Sequence, residues 1–220
     1  MDYKAILENL IYDINDEASI EKILLKAQTL AFALGDDSFK EFIKHEQNGY
    51  PTTSNIPEYR ILNTNVKAKV RSAFSLNSNI VEVHRELVQE KQIESLMFNA
   101  QIRHSLREIE HLSQKEGDLY IHLPVYAYDF VKEQYQNISG VEDVWQEIPN
   151  YMFLGIISKF KSTLLDLLLR FNRDLNWNVD LASSDNKKRI TQIINIHSAI
   201  TNIGEGNVNA GDIHVGEENS

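Results

Sequence analysis

Between Phe39 and Leu62, in FKEFIKHEQNGYPTTSNIPEYRIL, the chain passes from apolar residues spaced by threes and fours to apolar residues spaced by twos. A chain that changes period in this way must combine helix with sheet, so this stretch sets the fold class. Read by itself it gives a helix with Ser38 as N-cap, a stop at Asn48-Gly49, a loop through Pro51 and Pro57, and a strand starting near Tyr59.

In front of it lies a small helical bundle. Tyr3, Ile6, Leu7, Leu10, Ile11 and Ile14 put one apolar stripe on a first helix. Ser19 caps a second, in which Ile20, Ile23, Leu24, Ala27, Leu30, Ala31 and Leu34 keep the same period until Gly35 stops it. The third, from Phe39 to about Asn48, turns Phe42 and Ile43 inward. Three amphipathic helices with brief connections pack on one another.

Behind it, Val66, Ala68, Val70, Ser72, Phe74 and Leu76 alternate with Lys67, Lys69 and Arg71, which is a strand with one cationic face. Such a row can touch phosphate, but in an acidic chain it reads as a solvated sheet face. From Asn79 the spacing turns helical through Val83, Leu87, Ile102, Leu106, Ile109 and Leu112, ending at Gly117. Leu119, Ile121 and Leu123 predict a short strand before Pro124. Tyr126, Tyr128, Phe130 and Tyr135 fit helix or strand equally. Ser139 with Glu142 reads as a capping box for a short helix holding Val141, Val144 and Trp145 and closed by Pro149.

The longest apolar segment runs from Tyr151 to about Arg173 and is apolar nearly all round. Lys159, Lys161, Asp166 and Arg170 interrupt it too often for a bilayer span, so a buried central helix is expected rather than a membrane-lying one. The fold class is therefore α+β, mainly α: a helical bundle with a small antiparallel sheet over residues 1–183. Residues 184–189 read as a linker, and 190–220 form an Ile/Asn/Gly-rich C-terminal tail of β-type or coiled-coil character. Ile193, Ile196, Ile200 and Ile203 have the 3-4-3 spacing of a short self-associating coiled coil. Val208, Ile213 and Val215 lie instead in strand-and-turn text with no core of its own, which must pair with something, copies of itself included.

Composition narrows the function. A net charge of −10 over 220 residues argues against a general polyanion binder, so no nucleic acid partner is expected. With no cysteine, thiolate chemistry and disulfides are excluded. The start MDYKAILENL lacks a secretory pattern, which predicts a cytoplasmic protein without a membrane partner. No phosphate loop or nucleophile elbow is present, and nothing calls for a cofactor or a metal. His104, Glu108 and His111 at i, i+4 and i+7 are the one set spaced to present metal ligands from a helix. They support the alternative of a metal-dependent nuclease or nucleotide hydrolase, with Glu46 and Arg60 converging on the same cleft.

The helix pair IEKILLKAQTLAFALGDDSFKEFIKHEQNGY, then PEYR, and much later LGIISKFKSTLLDLLLRF, resemble the AbiTii proteins of bacterial abortive infection from roughly Asp16 to Asp174. The most specific pieces are Gln47 to Tyr50 and Pro57 to Arg60; Gln47 departs from the family's more usual Leu, and residues 73–137 carry no matching motif. The resemblance implies phage defence in which an infected cell arrests or dies, with a phage-derived trigger or a partner defence protein; it brings no catalytic residues. Glu46, Asn48, Gly49, Tyr50, Tyr59 and Arg60 stand out as a ligand or structural motif. Gly49 allows the helix to stop, Asn48 and Tyr50 can bond across the loop, and Arg60 can pair with Glu46 or Glu58. In the tail, GNVNAGDIHVG is similar to the core of bacterial amyloid-signalling motifs, with Asn209 where a Gln usually stands. The expected protein is a non-enzymatic self-assembling module or toxic effector, a homo-oligomer joined by its tail. A membrane-permeabilising effector using the Tyr151–Arg173 helix is the other alternative.

Overall fold

The structure, a computed structural model, describes residues 2–74, 77–135, 137–178, 180–181, 183–201 and 213–214. Its helices in chain order are α1 (Tyr3–Asn15), α2 (Ile20–Leu34), α3 (Asp37–Asn48), α4 (Lys91–Phe98), α5 (Leu106–Ser113), α6 (Val125–Gln134), α7 (Tyr151–Asp174) and α8 (Ser184–Thr201). The strands are β1 (Ile61–Asn63), β2 (Asn65–Ser72), β3 (Ser78–Val83), β4 (Asn99–Gln101), β5 (Leu119–His122), β6 (Ile138–Ile148) and β7 (Ile213–His214). This is the α+β, mainly helical class the sequence predicts. The chain folds into two compact units, one of helices and one built on sheet.

The helical unit takes the segments before Ile61, Arg103–Gln114, and Phe153 onward through α8. Asp2, Ser19 and Asp36 cap α1, α2 and α3 with side-chain oxygens on backbone N–H groups, and Gly35 ends α2 at φ +71°. The cap of α3 is thus Asp36 rather than Ser38: Asp36 is the last extended residue and accepts from Phe39 N at 3.0 Å, so the helix begins before Ser38. Asp13, almost fully buried, closes the α1–α2 elbow by ion pairs to Lys22 (2.8 Å) and Lys26 (2.5 Å). Hydrogen bonds from Lys22 and then Lys26 hold its carboxyl below the ordinary range. Helix α7 buries Phe153, Ile156, Ile157, Phe160, Leu164, Leu167, Leu168 and Phe171, with Phe160 against Phe42 and Phe171 against Phe39 of α3. It is not buried all round as expected, because Tyr151, Leu154 and Leu169 stay exposed.

Residues 184–189, expected as a linker, are the first turns of α8. Buried Asn186 explains the helix there: its amide donates to the carbonyls of Asn176 and Asp180, and its Oδ1 accepts from Asn176 N, tying α8 to the turn after α7. Ile190, Ile193 and Ile194 are buried in consequence.

The sheet unit holds an antiparallel five-stranded sheet of order β3-β2-β6-β5-β7 and a two-stranded β1-β4 ribbon. The strand expected near Tyr59 starts at Ile61, after a single 3-10 turn over Glu58–Arg60. Two larger stretches differ from their sequence reading. Ser78 to Gln101 is β3, a 3-10 turn, α4 and β4 rather than one helical run. Residues 138–148 are not a capped helix but the central eleven-residue strand, paired antiparallel with β2 along one edge and β5 along the other. Val144, Gln146 and Ile148 are buried at a period of two, and Ser139 bonds the carbonyls of Arg71 and Ser72 instead of capping. The aromatic patch at 126–130 is helical, on α6. Alternate residues Val66, Ala68 and Val70 of β2 pack with Val144, with Met97 and Phe98 of α4, and with Ala127 and Val131 of α6. The opposite face carries the cations, each matched by an acid of β6: Lys67 to Glu147 (2.8 Å), Lys69 to Glu142 (3.2 Å) and Arg71 to Glu142 (2.8 Å). Bonds from Ser78, Arg71 and Lys69 pull the Glu142 carboxyl down to about 2. Cations so neutralised offer little to phosphate.

Candidate functional site

The singled-out residues of the Phe39–Leu62 stretch do come together, inside the helical unit. The last turn of α3 turns Glu46 inward, and Gly49 ends the helix at φ +85° and ψ 164° with its N–H on His45 O. Chain reversal at Gly49 brings Tyr50 N onto the carbonyl of Arg103 at 2.7 Å. The 3-10 turn then returns Tyr59 and Arg60 to the same place. Glu46 Oε1 accepts from Tyr50 Oη (2.6 Å), Tyr59 Oη (2.7 Å) and Arg60 Nε (3.2 Å), while Oε2 takes Arg60 Nη2 at 2.5 Å. Arg60 Nη1 donates to the carbonyl of His104 at 2.7 Å, and its guanidinium lies 4.8 Å from the Tyr50 ring centroid. The His45 ring packs tilted against the Tyr50 ring, centroids 4.9 Å apart.

Both Glu46 and Arg60 have 0% exposure. Burying a carboxylate and a guanidinium is tolerated only with close pairing and full hydrogen bonding, and this cluster supplies both. Burial would lower the pKa of Arg60, but the charge and hydrogen bonds of Glu46 raise it, so the guanidinium keeps its proton. Burial, then the adjacent Glu46 charge, pushes both the Tyr50 and the Tyr59 hydroxyls well above the ordinary tyrosine value. A general base must reach a substrate proton. Glu46 is instead enclosed by its own donors, and the cluster works as a strut pinning the end of α3 to the 3-10 turn and to the residues preceding α5.

The raised hydroxyls carry a pH consequence. Unfolded tyrosine loses its proton near pH 10. Folded Tyr50 and Tyr59 hold theirs higher, so their contribution is complete below about pH 10 and is lost as the pH climbs toward the folded values. Thermal melts between pH 8 and 11 should show stability falling above about pH 10. The slope should flatten in a Tyr50→Phe/Tyr59→Phe double variant; an equally steep fall there would place the alkaline lability elsewhere.

The other sequence candidates separate. Asn48 is exposed and its amide caps Lys44 O at 3.0 Å, outside the cluster. The metal-ligand reading of His104, Glu108 and His111 is not met. Helix α5 starts only at Leu106, so His104 lies ahead of its cap and contributes a carbonyl to Arg60. Glu108 turns back to Ser105, accepting from its N (2.8 Å) and Oγ (2.7 Å) in a true capping box. Among the described residues no group of His, Asp and Glu is arranged to hold a metal ion. Nor is any helix among them long and apolar enough to cross a membrane.

Of the tail candidates, Ile193 is buried in α8 and Ile196 and Ile200 lie on the same helix, of which only the backbone is described there. Ile213 lies in β7, and Ile203, Val208 and Val215 fall outside the described residues. Sequence reading missed two further features. A groove of about 310 Å³ between α2 and α3 is lined by Phe32, Ile43, Asp37, Lys40, Glu41 and Lys44, whose charges balance. In the sheet unit, Asp143 Oδ1 lies 2.9 Å from His122 Nδ1 and accepts from Tyr128 Oη at 3.0 Å. These residues come from three different elements, and no local spacing announces their meeting.

Comparison with known protein families matches residues 5–197 to AbiTii, including the middle of the chain where no motif is readable. Neither a curated protein nor a solved structure matches the chain. The family match supports a role in abortive infection, the response by which infected bacteria limit phage. It covers most of the sequence, and the chain belongs to the AbiTii family.

Proposed function

We propose that this protein acts in phage defence as a non-enzymatic, self-assembling module, with the residues after α8 joining copies into a homo-oligomer. The observation that carries the reading is β7: Ile213 and His214 pair antiparallel with Ile121 and Tyr120 at the edge of the sheet. Ile213 and His214, from sequence too poor in apolar residues for a core of its own, thereby add to a sheet, the behaviour expected of an assembly strand. The buried cluster supports the same reading, since the chain's most distinctive charged residues are spent on holding the fold. A phage product or a partner defence protein is then the trigger that starts assembly, and the cell interior is where it operates.

The test compares the full chain with one ending at Thr201, since a cut before α8 would strip Ile190, Ile193 and Ile194 from the core. Light scattering should give an oligomer for the full chain and a monomer for the shortened one. Circular dichroism should be unchanged apart from the tail, and protection of phage-challenged cells should be lost. If both chains are monomers at every concentration reached in the cell, the assembly reading fails.

A further inference from the structure

Helix α2 keeps two large apolar side chains in solvent, Leu25 at 56% exposure and Phe32 at 67%. Their spacing puts them on one face of the helix, two turns apart. Phe32 also borders the α2–α3 groove, whose apolar lining is completed by the buried Ala31 and Ile43. The wall on the α3 side is charged, because Asp37, Lys40, Glu41 and Lys44 share a single face of that helix. A lone exposed apolar residue is ordinary, but an apolar pair beside a groove with a charged rim has the make-up of an interface.

The charges identify what fits. Along α3 they run acid, base, acid, base at Asp37, Lys40, Glu41 and Lys44. A second α3 laid alongside in the same direction and register would set each charge against its like. Laid antiparallel about a two-fold axis between Lys40 and Glu41, it sets Asp37 against Lys44 of the second copy and Lys40 against its Glu41. Symmetry repeats both pairs. An isologous contact needs a patch complementary to itself, and this order of charges is one. Exposed ion pairs add little energy, so they fix direction and register while Phe32 and the groove supply apolar contact. Asp37 pairs with Lys40 of its own helix at 2.9 Å, and being exposed at Asp37 this pair gives way at little cost.

We propose that the α2–α3 face is the surface on which two copies of this chain meet, α3 against α3 antiparallel, with each Phe32 packed toward the other's groove. The proposal rests on the assembly reading above and adds the face that meets once the residues after α8 have gathered copies. Ion pairs in water and an aromatic anchor make a weak contact, so the face by itself leaves the chain ending at Thr201 monomeric. Among gathered copies the effective concentration is about millimolar, and a weak contact then forms.

Full-length chains carrying Asp37→Lys or Lys44→Glu are compared by light scattering across a range of concentrations, with circular dichroism to show that each is folded. Either substitution alone sets like charges together twice in a pair of identical chains. Each should raise the concentration at which copies assemble at least tenfold, although the two change the net charge in opposite directions. Mixing the two chains, or combining both substitutions in one chain, sets opposite charges together again and should restore the original concentration. Phe32→Ala, at a side chain outside the core, should weaken assembly by a similar factor. A carbodiimide, which joins carboxyl to amine without a spacer, gives a second readout. Two turns of helix hold Asp37 and Lys44 of one chain about 10 Å apart, so a direct link between them joins two copies. That link should form between isotope-labelled and unlabelled full-length chains. If the full chain assembles and the charge reversals leave its concentration dependence unchanged, the α2–α3 face is wrong while the assembly reading stands. A full chain monomeric at all concentrations overturns both.

Discussion

Arg60→Ala should lower the unfolding free energy of the helical unit by about 3–5 kcal/mol, read from urea denaturation. The substitution strands the Glu46 carboxylate at 0% exposure, leaving it only the Tyr50 and Tyr59 hydroxyls, and it removes the donor that satisfies His104 O. An unpaired buried charge costs far more than the pair is worth, so the loss measures the stranding of Glu46 rather than the strength of the ion pair. Arg60→Lys should recover little of it, because an ammonium cannot span Oε1, Oε2 and the His104 carbonyl as the planar guanidinium does. Glu46→Gln should cost less than Arg60→Ala, since the amide oxygen still accepts from the tyrosines. A Glu46→Gln/Arg60→Ala double variant should therefore be more stable than the sum of its single losses predicts by at least about 1 kcal/mol. Simple additivity would mean that the pair is hydrated and weakly coupled, contrary to its burial.

How much of this was legible in the sequence depended on how local the deciding contacts are. Ser19 and Gly35 bound α2 as read, because a cap and a left-handed stop are settled within one turn of helix. Ser38 is the cap the sequence reading named for α3, and the bond from Phe39 N to the Asp36 side chain moves the cap to Asp36. Ser139 and Glu142 have capping-box spacing, yet they lie in β6, because β2 offers residues 138–147 a ladder along one edge and β5 pairs with Trp145–Ile148 along the other. Those partners are about seventy and about twenty residues away in the chain, so no window around Ser139 contains the answer. The same holds for the site. Glu46, Tyr50, Tyr59 and Arg60 could be named from the stretch that contains them. The carbonyls of Arg103 and His104 that complete their environment belong to a segment that the sequence reading placed inside a helix, with His104 offered as a metal ligand.

Gly49→Ala should destabilise by about 2–4 kcal/mol, against about 1 kcal/mol for Gly35→Ala, and the difference isolates what the turn after α3 requires. Gly35 has φ +71° and ψ 13°, the ordinary left-handed stop, and a Cβ there would meet nothing within 4 Å. Its substitution reports backbone preference alone. Gly49 has φ +85° and ψ 164°, a region essentially closed to any side chain. A Cβ there would stand 2.8 Å from Arg103 O and 3.3 Å from Ser105 N, both backbone atoms. The carbonyl cannot retreat freely, because it accepts from Tyr50 N at 2.7 Å, and Tyr50 is itself held by Glu46. Relief must come from moving Tyr50 off Glu46 or Arg103 off the loop, so Gly49→Ala and Tyr50→Phe should be non-additive while Gly35→Ala and Tyr50→Phe add. Equal losses at the two glycines would show that the turn yields without disturbing the cluster. A larger, coupled loss at Gly49 would show that Asn48-Gly49-Tyr50 is tied to Glu46 through the chain passing beneath it, and that the motif is built for position before any binding role.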